Sequence, residues 1–177
     1  MGVQLAHTAD LDPSVLRAVR ALLDDVFGEE MTDHAWDHVL GGMHALVWDA
    51  GELIGHASVI QRRLLYRDRT LRAGHVEGVA VRGDRRRQGV AGAMMAELER
   101  VIRAAYVLGS LGASEEGAPL YQARGWRHWQ GELWALGPSG PMRTASEEGD
   151  VYVLPAPGLE LDLGEKLTCD WREGHVW

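Results

Sequence analysis

The chain holds one cysteine in 177 residues, Cys169, so no disulfide can form within it, and a reducing compartment is expected. With no basic motif beside it, Cys169 reads as a structural thiol rather than a nucleophile. No apolar run approaches the ~18 residues of a membrane-crossing helix, and Met-Gly-Val-Gln-Leu-Ala-His at the start has no basic region leading into a long apolar stretch. A soluble, cytoplasmic protein without a membrane partner is the expectation. Positive charge is short as well. Eighteen Lys and Arg against 26 Asp and Glu leave a net charge of −8, which argues against nucleic acid as a partner and suits a cationic ligand. Repeats and low-complexity tracts are missing. His34 and His38 are four apart, yet no third ligand is placed by the sequence, so no metal is expected. The seven tryptophans read as core and interface.

What is present suits one domain spanning residues 1–177, with 46% hydrophobic and 25% charged residues. Its organising stretch is residues 76–92, Val-Glu-Gly-Val-Ala-Val-Arg-Gly-Asp-Arg-Arg-Arg-Gln-Gly-Val-Ala-Gly. Val76, Val79 and Val81 make a buried strand, and Ala80 leaves room for a close neighbour. An Arg- and Gly-rich turn follows. Val90, Met94, Leu98, Val101, Ile102 and Ala105 then recur at spacings of three and four, which predicts an amphipathic helix over residues 89–105. The first amides of such a helix lack intrahelical partners and sit at the positive end of its dipole, a natural seat for a diphosphate. Gly89 permits close approach, Ala91 is small, and Arg85, Arg86 and Arg87 bring charge. A Walker loop is excluded, since no Gly-Lys-Ser/Thr follows the glycine.

Around that stretch the pattern predicts a strand at 3–7, a helix capped by Asp12-Pro13 and ending near Gly28, and a short helix capped by Thr32. An antiparallel meander is expected next, with strands at 43–48, 53–66 and 70–82 and a hairpin turn at 49–52. After the long helix come a strand at 106–113, a helix at 115–124, one strand from Trp126 to about Leu136, a loop at 137–141 and a late strand at 151–154. The strands at 77–81 and 106–113 are expected to run parallel, joined by a right-handed crossover.

Arg86-x-x-Gly89-x-Ala91, after a Val-x-Val strand and before a long helix, resembles the cofactor turn of the GNAT family of acetyl-CoA-dependent N-acetyltransferases. The alternative is a solvated basic turn on an unrelated α/β domain. The resemblance implies an α/β (α+β) GNAT fold, a mixed central sheet with splayed parallel strands flanked by helices and the acetyl-CoA arm in the gap. Several stretches resemble the aminoglycoside 2'-N-acetyltransferases in particular. They are Leu40-Gly-Gly-Met-His-Ala-Leu46, Val59-Ile-Gln-Arg-Arg-Leu64, Val76-Glu-Gly-Val-Ala-Val-Arg82, Leu120-Tyr-Gln-Ala-Arg-Gly-Trp126 and the end, Cys169-Asp-Trp-Arg-Glu-Gly-His-Val-Trp177. Acetyl transfer from acetyl-CoA to the 2'-amine of an aminoglycoside, with CoA as product, is what that likeness implies.

Glu77 is the expected proton acceptor. A carboxylate in an apolar strand is costly without a purpose, and an amine must be neutral to attack a thioester. The alternative is a structural carboxylate paired with Arg63 or Arg72. Tyr121 occupies the position at which GNAT enzymes protonate the departing thiolate, or it is a packed core tyrosine. By resemblance, the backbone of Val79, Ala80 and Val81 holds the pantetheine arm and polarises the acetyl carbonyl. Amides from Arg86, Arg87, Gln88, Gly89, Val90 and Ala91 take the diphosphate. Glu30, Glu77, Gly78, Gly112, Glu147 and the carboxyl of Trp177 are the implied aminoglycoside contacts. Relatives often carry Asp in place of Glu30 and Glu147, Ser in place of Gly112 and Asp in place of His175, the last removing a negative charge here. The run Glu147-Glu148-Gly149-Asp150 otherwise reads as a solvated loop. Residues of about 70–125 form the expected cofactor core, and about 137–177 the substrate and homodimer segment. Two other functions fit the same residues: acetylation of a metabolite or cell-wall amine, and a silent CoA- or drug-binding module.

Overall fold

The computed structural model describes residues 2–177. Strand β1 (Gln4–His7) leads through a 3-10 turn (Thr8–Asp10) to helix α1 (Pro13–Phe27). Its ends follow from side-chain chemistry. The Asp12 carboxylate accepts the Ser14 amide at 2.8 Å, Pro13 occupies the first turn where no amide partner is needed, and Gly28 ends the helix at φ +57°. Thr32 caps helix α2 (Asp33–Val39), its hydroxyl accepting the Ala35 amide at 3.1 Å. Strands β2 (Met43–Asp49) and β3 (Glu52–Tyr66) form a hairpin closed by Ala50 and Gly51, both left-handed, the twist that tight hairpins favour. Then come β4 (Arg69–Val81), α3 (Val90–Ala105), β5 (Leu108–Gly112), α4 (Ala118–Ala123), β6 (Arg127–His128), β7 (Leu133–Gly137), β8 (Gly140–Arg143), β9 (Val151–Pro155) and β10 (Leu167–Cys169).

Two compact units divide the chain. Residues 2–60 with Val76–Val101 form the first, and Gln61–His75 with Ile102–Trp177 the second. In the first, strands lie in the order β1-β2-β3-β4, with β2 antiparallel to β1 and β3. Leu11, Val19, Leu23, Val39, Leu46, Leu53 and Ala80 make its core. In the second, the order is β6-β9-β5-β4-β3-β10-β7-β8, and the sheet is mixed, since β10 runs parallel to β7 while β9 is antiparallel to β5 and β6. Trp129 fills the centre of that unit, its ring edge-on to Tyr66 with centroids 6.0 Å apart and its indole N–H donating to Glu165 O at 2.9 Å.

The structure corrects several sequence expectations. The single strand expected from Trp126 to Leu136 is two. Trp129 N donates to Val151 O, beside β9, but Gln130 and Gly131 both donate to Leu163 O in the tail, and pairing resumes with β10. The expected loop at 137–141 is the tight turn of the β7–β8 hairpin, with Gly137 opposite Gly140 and Gly140 at φ +116°. The same Gly and Pro that suggest a loop are what a two-residue turn requires. The helix expected at 115–124 is confined to Ala118–Ala123, because a turn at Ser114–Gly117 precedes it, the Gly117 amide donating to Ser114 O at 3.0 Å. Strand 106–113 narrows to Leu108–Gly112.

Gly131 makes the transfer between strands possible, since a Cβ there would lie 2.0 Å from Glu165 O. Gly131→Ala is expected to lower the unfolding free energy by about 3 kcal/mol, the upper part of the usual overpacking range. A urea midpoint that falls at constant m-value is the readout, and an unchanged midpoint would show that the tail does not lie against Gly131.

Candidate active site

In the first unit, β4 ends at Val81 and the chain enters the turn that precedes α3. A 3-10 turn (Gly83–Arg85) is followed by Arg87 at φ +58° and Gly89 at φ +82°. A left-handed non-glycine residue costs roughly 1–2 kcal/mol, so the loop is held by more than local preference. What holds it is a set of side-chain ties. Arg82 reaches Glu52 at 2.7 Å and Asp84 at 2.6 Å, Arg85 reaches Asp49 at 2.5 Å, and the Gln88 side chain donates to Asp84 O at 3.0 Å. The hydrogen bond from Arg82 holds the Asp84 carboxyl below its usual range. Arg85 is therefore tied into the loop by Asp49 and Asp84, while its Nε is buried without a hydrogen-bond partner among the described residues. Arg86 and Arg87 are exposed, as are Gln88 and Gly89. Val90 is buried and packs so closely that a Cβ on Gly55 would come within 2.6 Å of it, which pins the helix start.

These residues fit the diphosphate of acetyl-CoA. The amides of Val90 and Ala91 open a helix that begins just after Gly89, nothing lies within 4 Å of where a Gly89 side chain would stand, and the exposed Arg86 and Arg87 precede it in the turn. Val79 and Val81 are half-buried and Ala80 is buried. Glu30, in contrast, lies exposed at the end of a 3-10 turn (Gly28–Glu30).

Glu77 is half-buried on β4 and is followed by Gly78 at φ +55°, a left-handed residue inside a strand. The Gly78 carbonyl leaves the ladder direction and meets His56 Nδ1 at 2.8 Å. His56 Nε2 lies 2.9 Å from His44 Nδ1, and His44 Nε2 lies 2.8 Å from the Thr8 hydroxyl. Both imidazoles are fully buried. Sequence reading passed over all three residues, although a histidine in each of two apolar strands, Met-His-Ala-Leu-Val and Ile-Gly-His-Ala-Ser, was the available signal.

The second unit carries the remaining candidates. Tyr121 is 6% exposed on α4, edge-on to Trp126, and burial pushes its hydroxyl up to about 12. It keeps its proton and can donate a hydrogen bond, but full transfer to a thiolate of about 8.5 would be uphill by roughly three pKa units. Gly112, Glu147 and Trp177 are brought together. A Cβ on Gly112 would lie 3.9 Å from Trp177 O, the Trp177 indole donates to the Thr144 hydroxyl at 3.0 Å, and the Glu147 amide donates to Thr144 O at 3.0 Å. Glu147 Oε1 is 3.7 Å from His175 Nδ1, while its Oε2 is buried with no hydrogen-bond partner among the described residues. An unsatisfied buried carboxylate oxygen is costly.

Arg62, also passed over in the sequence, fastens this segment. At 3% exposure its guanidinium donates to Asp170 Oδ1 at 2.9 Å, Asp170 O at 2.7 Å and Val176 O at 2.6 Å. Its place on the face shared by the apolar Leu64 and Tyr66, two and four residues on, was the signal. Cys169 is buried beside it, its thiol pushed up to about 11 by burial, in keeping with a structural role.

The histidines make stability depend on pH. Burial holds His44 at about 4 and His56 at about 3, against about 6.5 in an unfolded chain. Below pH 6.5 the unfolded chain therefore binds protons that the fold refuses, and stability is lost as pH falls from 6.5 toward 4. The melting temperature should drop between pH 6.5 and 5, above the carboxylate range, and a His44→Gln/His56→Asn variant should show a flatter line. Parallel lines for the two proteins would mean that these rings are not held neutral.

The chain matches the acetyltransferase (GNAT) domain family over residues 9–129. It is 48% identical over 177 residues to the aminoglycoside 2'-N-acetyltransferase of Mycolicibacterium fortuitum, covering 98% of this chain and 91% of that one. Its fold is similar to that of the GNAT family N-acetyltransferase YhbS from Escherichia coli in complex with CoA, with a TM-score of 0.62 at 18% identity over 97% of this chain and 89% of that one. A GNAT family acetyltransferase from Brucella melitensis in complex with acetyl-CoA gives a TM-score of 0.61 at 12% identity over 97% of both. The two structures share the mixed sheet with flanking helices, and the mycobacterial relative narrows the lineage: the chain belongs to the GNAT acetyltransferases, in the aminoglycoside 2'-N-acetyltransferase family.

Proposed function

We propose that this protein acetylates the 2'-amine of aminoglycosides, removing one cationic group from the drug and so conferring resistance. The observation that carries the reading is Glu77, a half-buried carboxylate placed one residue before the left-handed Gly78, in the same unit as the exposed amides that open α3. Acetyl-CoA supplies the activated acetyl group as a thioester. Amides and guanidinium groups at 86–91 bind its diphosphate, and Val79–Val81 hold the pantetheine arm by backbone hydrogen bonds. The Val79 amide donates to the acetyl oxygen, Glu77 takes the proton of the attacking amine, and the Tyr121 hydroxyl donates to the departing sulfur.

The substrate carries several ammonium groups, and the acidic balance of the chain, −8, favours their approach. Glu30, Glu77, Gly78, Gly112, Glu147 and Trp177 are its proposed contacts. Within this reading, residues 1–177 act as one acetyltransferase domain in the cytoplasm, and no described helix is long and apolar enough to cross a membrane. A homodimer formed through the late strands belongs to the same reading, supported by Leu136 and Met142, exposed on the terminal β7–β8 hairpin.

Purified protein with acetyl-CoA, a thiol reagent and a panel of aminoglycosides should release CoA with members that carry a 2'-amine, such as tobramycin, and silence with all of those would reject the assignment. Glu77→Gln is expected to lower kcat/KM about 100-fold near pH 7 and by less at pH 9, where the amine is already neutral. An unaltered pH profile would move the base elsewhere. Glu147→Gln should raise the tobramycin KM about tenfold, as loss of a charge-assisted hydrogen bond does, while sparing the acetyl-CoA KM and leaving the melting temperature equal or higher. A lower melting temperature with an unchanged KM would make Glu147 structural.

A further inference from the structure

We infer that Thr8, His44 and His56 form a positioning relay that fixes the peptide between Gly78 and Val79, and through it the amide that meets the acetyl oxygen. The inference rests on the acetyltransferase reading above and adds three positioning residues to it. Its starting point is a fixed direction of donation. A carbonyl oxygen only accepts, so the 2.8 Å contact at Gly78 O requires the proton on His56 Nδ1. A neutral His56 then accepts at Nε2, which requires the proton on His44 Nδ1, 2.9 Å away. His44 accepts at Nε2 in turn, and the Thr8 hydroxyl donates to it at 2.8 Å. Thr8 Oγ1 receives the Gly41 amide at 2.8 Å, which completes its bonding. The other acceptor near the hydroxyl, Gly42 O, is farther at 3.2 Å and also takes the Thr8 amide at 2.9 Å, so His44 Nε2 is the closer acceptor for the hydroxyl proton. Every ring nitrogen in the chain has one role and one partner.

Such a chain cannot carry a proton to Glu77, because it ends on a carbonyl that has none to accept or release. It can hold a peptide plane. A trans peptide keeps its C=O and N–H antiparallel, so tethering Gly78 O to His56 sends the Val79 N–H to the opposite side of β4. A hydrogen bond accepted by the carbonyl also polarises the N–H of the same peptide group. The left-handed φ of Gly78 allows the rotation, and the neighbourhood locks it. A Cβ on Gly78 would meet Val39 Cγ2 at 3.1 Å and His56 Cε1 at 3.4 Å, so a side chain there would press on both.

The test compares wild type with His56→Phe, which keeps a ring and deletes the donor, and His56→Asn, whose Nδ2 returns a donor near the lost Nδ1. With tobramycin and acetyl-CoA, His56→Phe should lower kcat about 100-fold, the scale of one misplaced donor to a developing negative charge. Its acetyl-CoA dissociation constant by calorimetry should stay within about twofold, and His56→Asn should recover most of the loss, since a hydrogen bond to the carbonyl is restored. The pH profile of the residual His56→Phe activity should keep the wild-type midpoint, because the proton acceptor is untouched. Full kcat in His56→Phe would overturn the relay and leave the acetyltransferase reading intact. Loss of acetyl-CoA affinity in step with kcat, or no recovery in His56→Asn, would assign His56 to packing and overturn it equally. A wild-type protein that releases no CoA with tobramycin would overturn both. Should His56→Phe fail to fold, Thr8→Val must lower kcat severalfold with Thr8→Ser restoring it, and wild-type turnover in Thr8→Val would reject the relay.

Discussion

Gly78 holds a left-handed conformation in the middle of a strand, and the chemistry proposed for the first unit depends on that kink. An ordinary strand residue would send its carbonyl along the ladder. Here the carbonyl turns into the interior, where only a buried donor can satisfy it, and His56 supplies the donor at 2.8 Å. The two residues that flank the kink are those with proposed roles on the reacting groups, Glu77 before it and Val79 after it. Burying two imidazoles is expensive, and the burial that holds both well below their ordinary range is the sign of that cost. The fold sustains it because each ring nitrogen is paired, from Thr8 through to Gly78.

Arg62, buried in the second unit, has three oxygen acceptors, and Arg82 and Arg85 in the first unit are met by nearby carboxylates. These cations hold backbone in place. Glu147 keeps a buried oxygen with no partner among the described residues, close to Thr144 and Trp177, and the amides that open α3 have no acceptor within their own helix. The proposed function gives these groups the ammonium of an aminoglycoside and the diphosphate of acetyl-CoA as counterparts.

Local chemistry made much of this legible in the sequence. The caps at Asp12 and Thr32, the left-handed stop at Gly28, the hairpin turn at Ala50-Gly51 and the helix after Gly89 each follow from one or two residues acting on their neighbours, and each lies where the pattern put it. Glu77 draws attention in the sequence as the one charged residue of the apolar run 76–81, and the structure puts it half-buried on β4. What escaped depends on contacts between distant segments. The split of one strand into β6 and β7 is imposed by tail residues more than thirty positions away, and no local pattern encodes it. His44 and His56 acquire meaning only when β2 and β3 are in register and Gly78 is turned toward them. Arg85 looked like one more basic group of the cofactor turn until Asp49, from the preceding hairpin, was seen beside it.

The most direct measurement is the protonation pattern of the buried histidines by nitrogen-15 NMR on uniformly labelled protein at pH 6. His56 should be neutral with its proton on Nδ1, and His44 likewise, with both one-bond couplings intact in the presence and absence of CoA. A neutral His56 with its proton on Nε2 and none on Nδ1 would leave the Gly78 carbonyl without its donor, and the Val79 amide would then owe its orientation to something other than this relay.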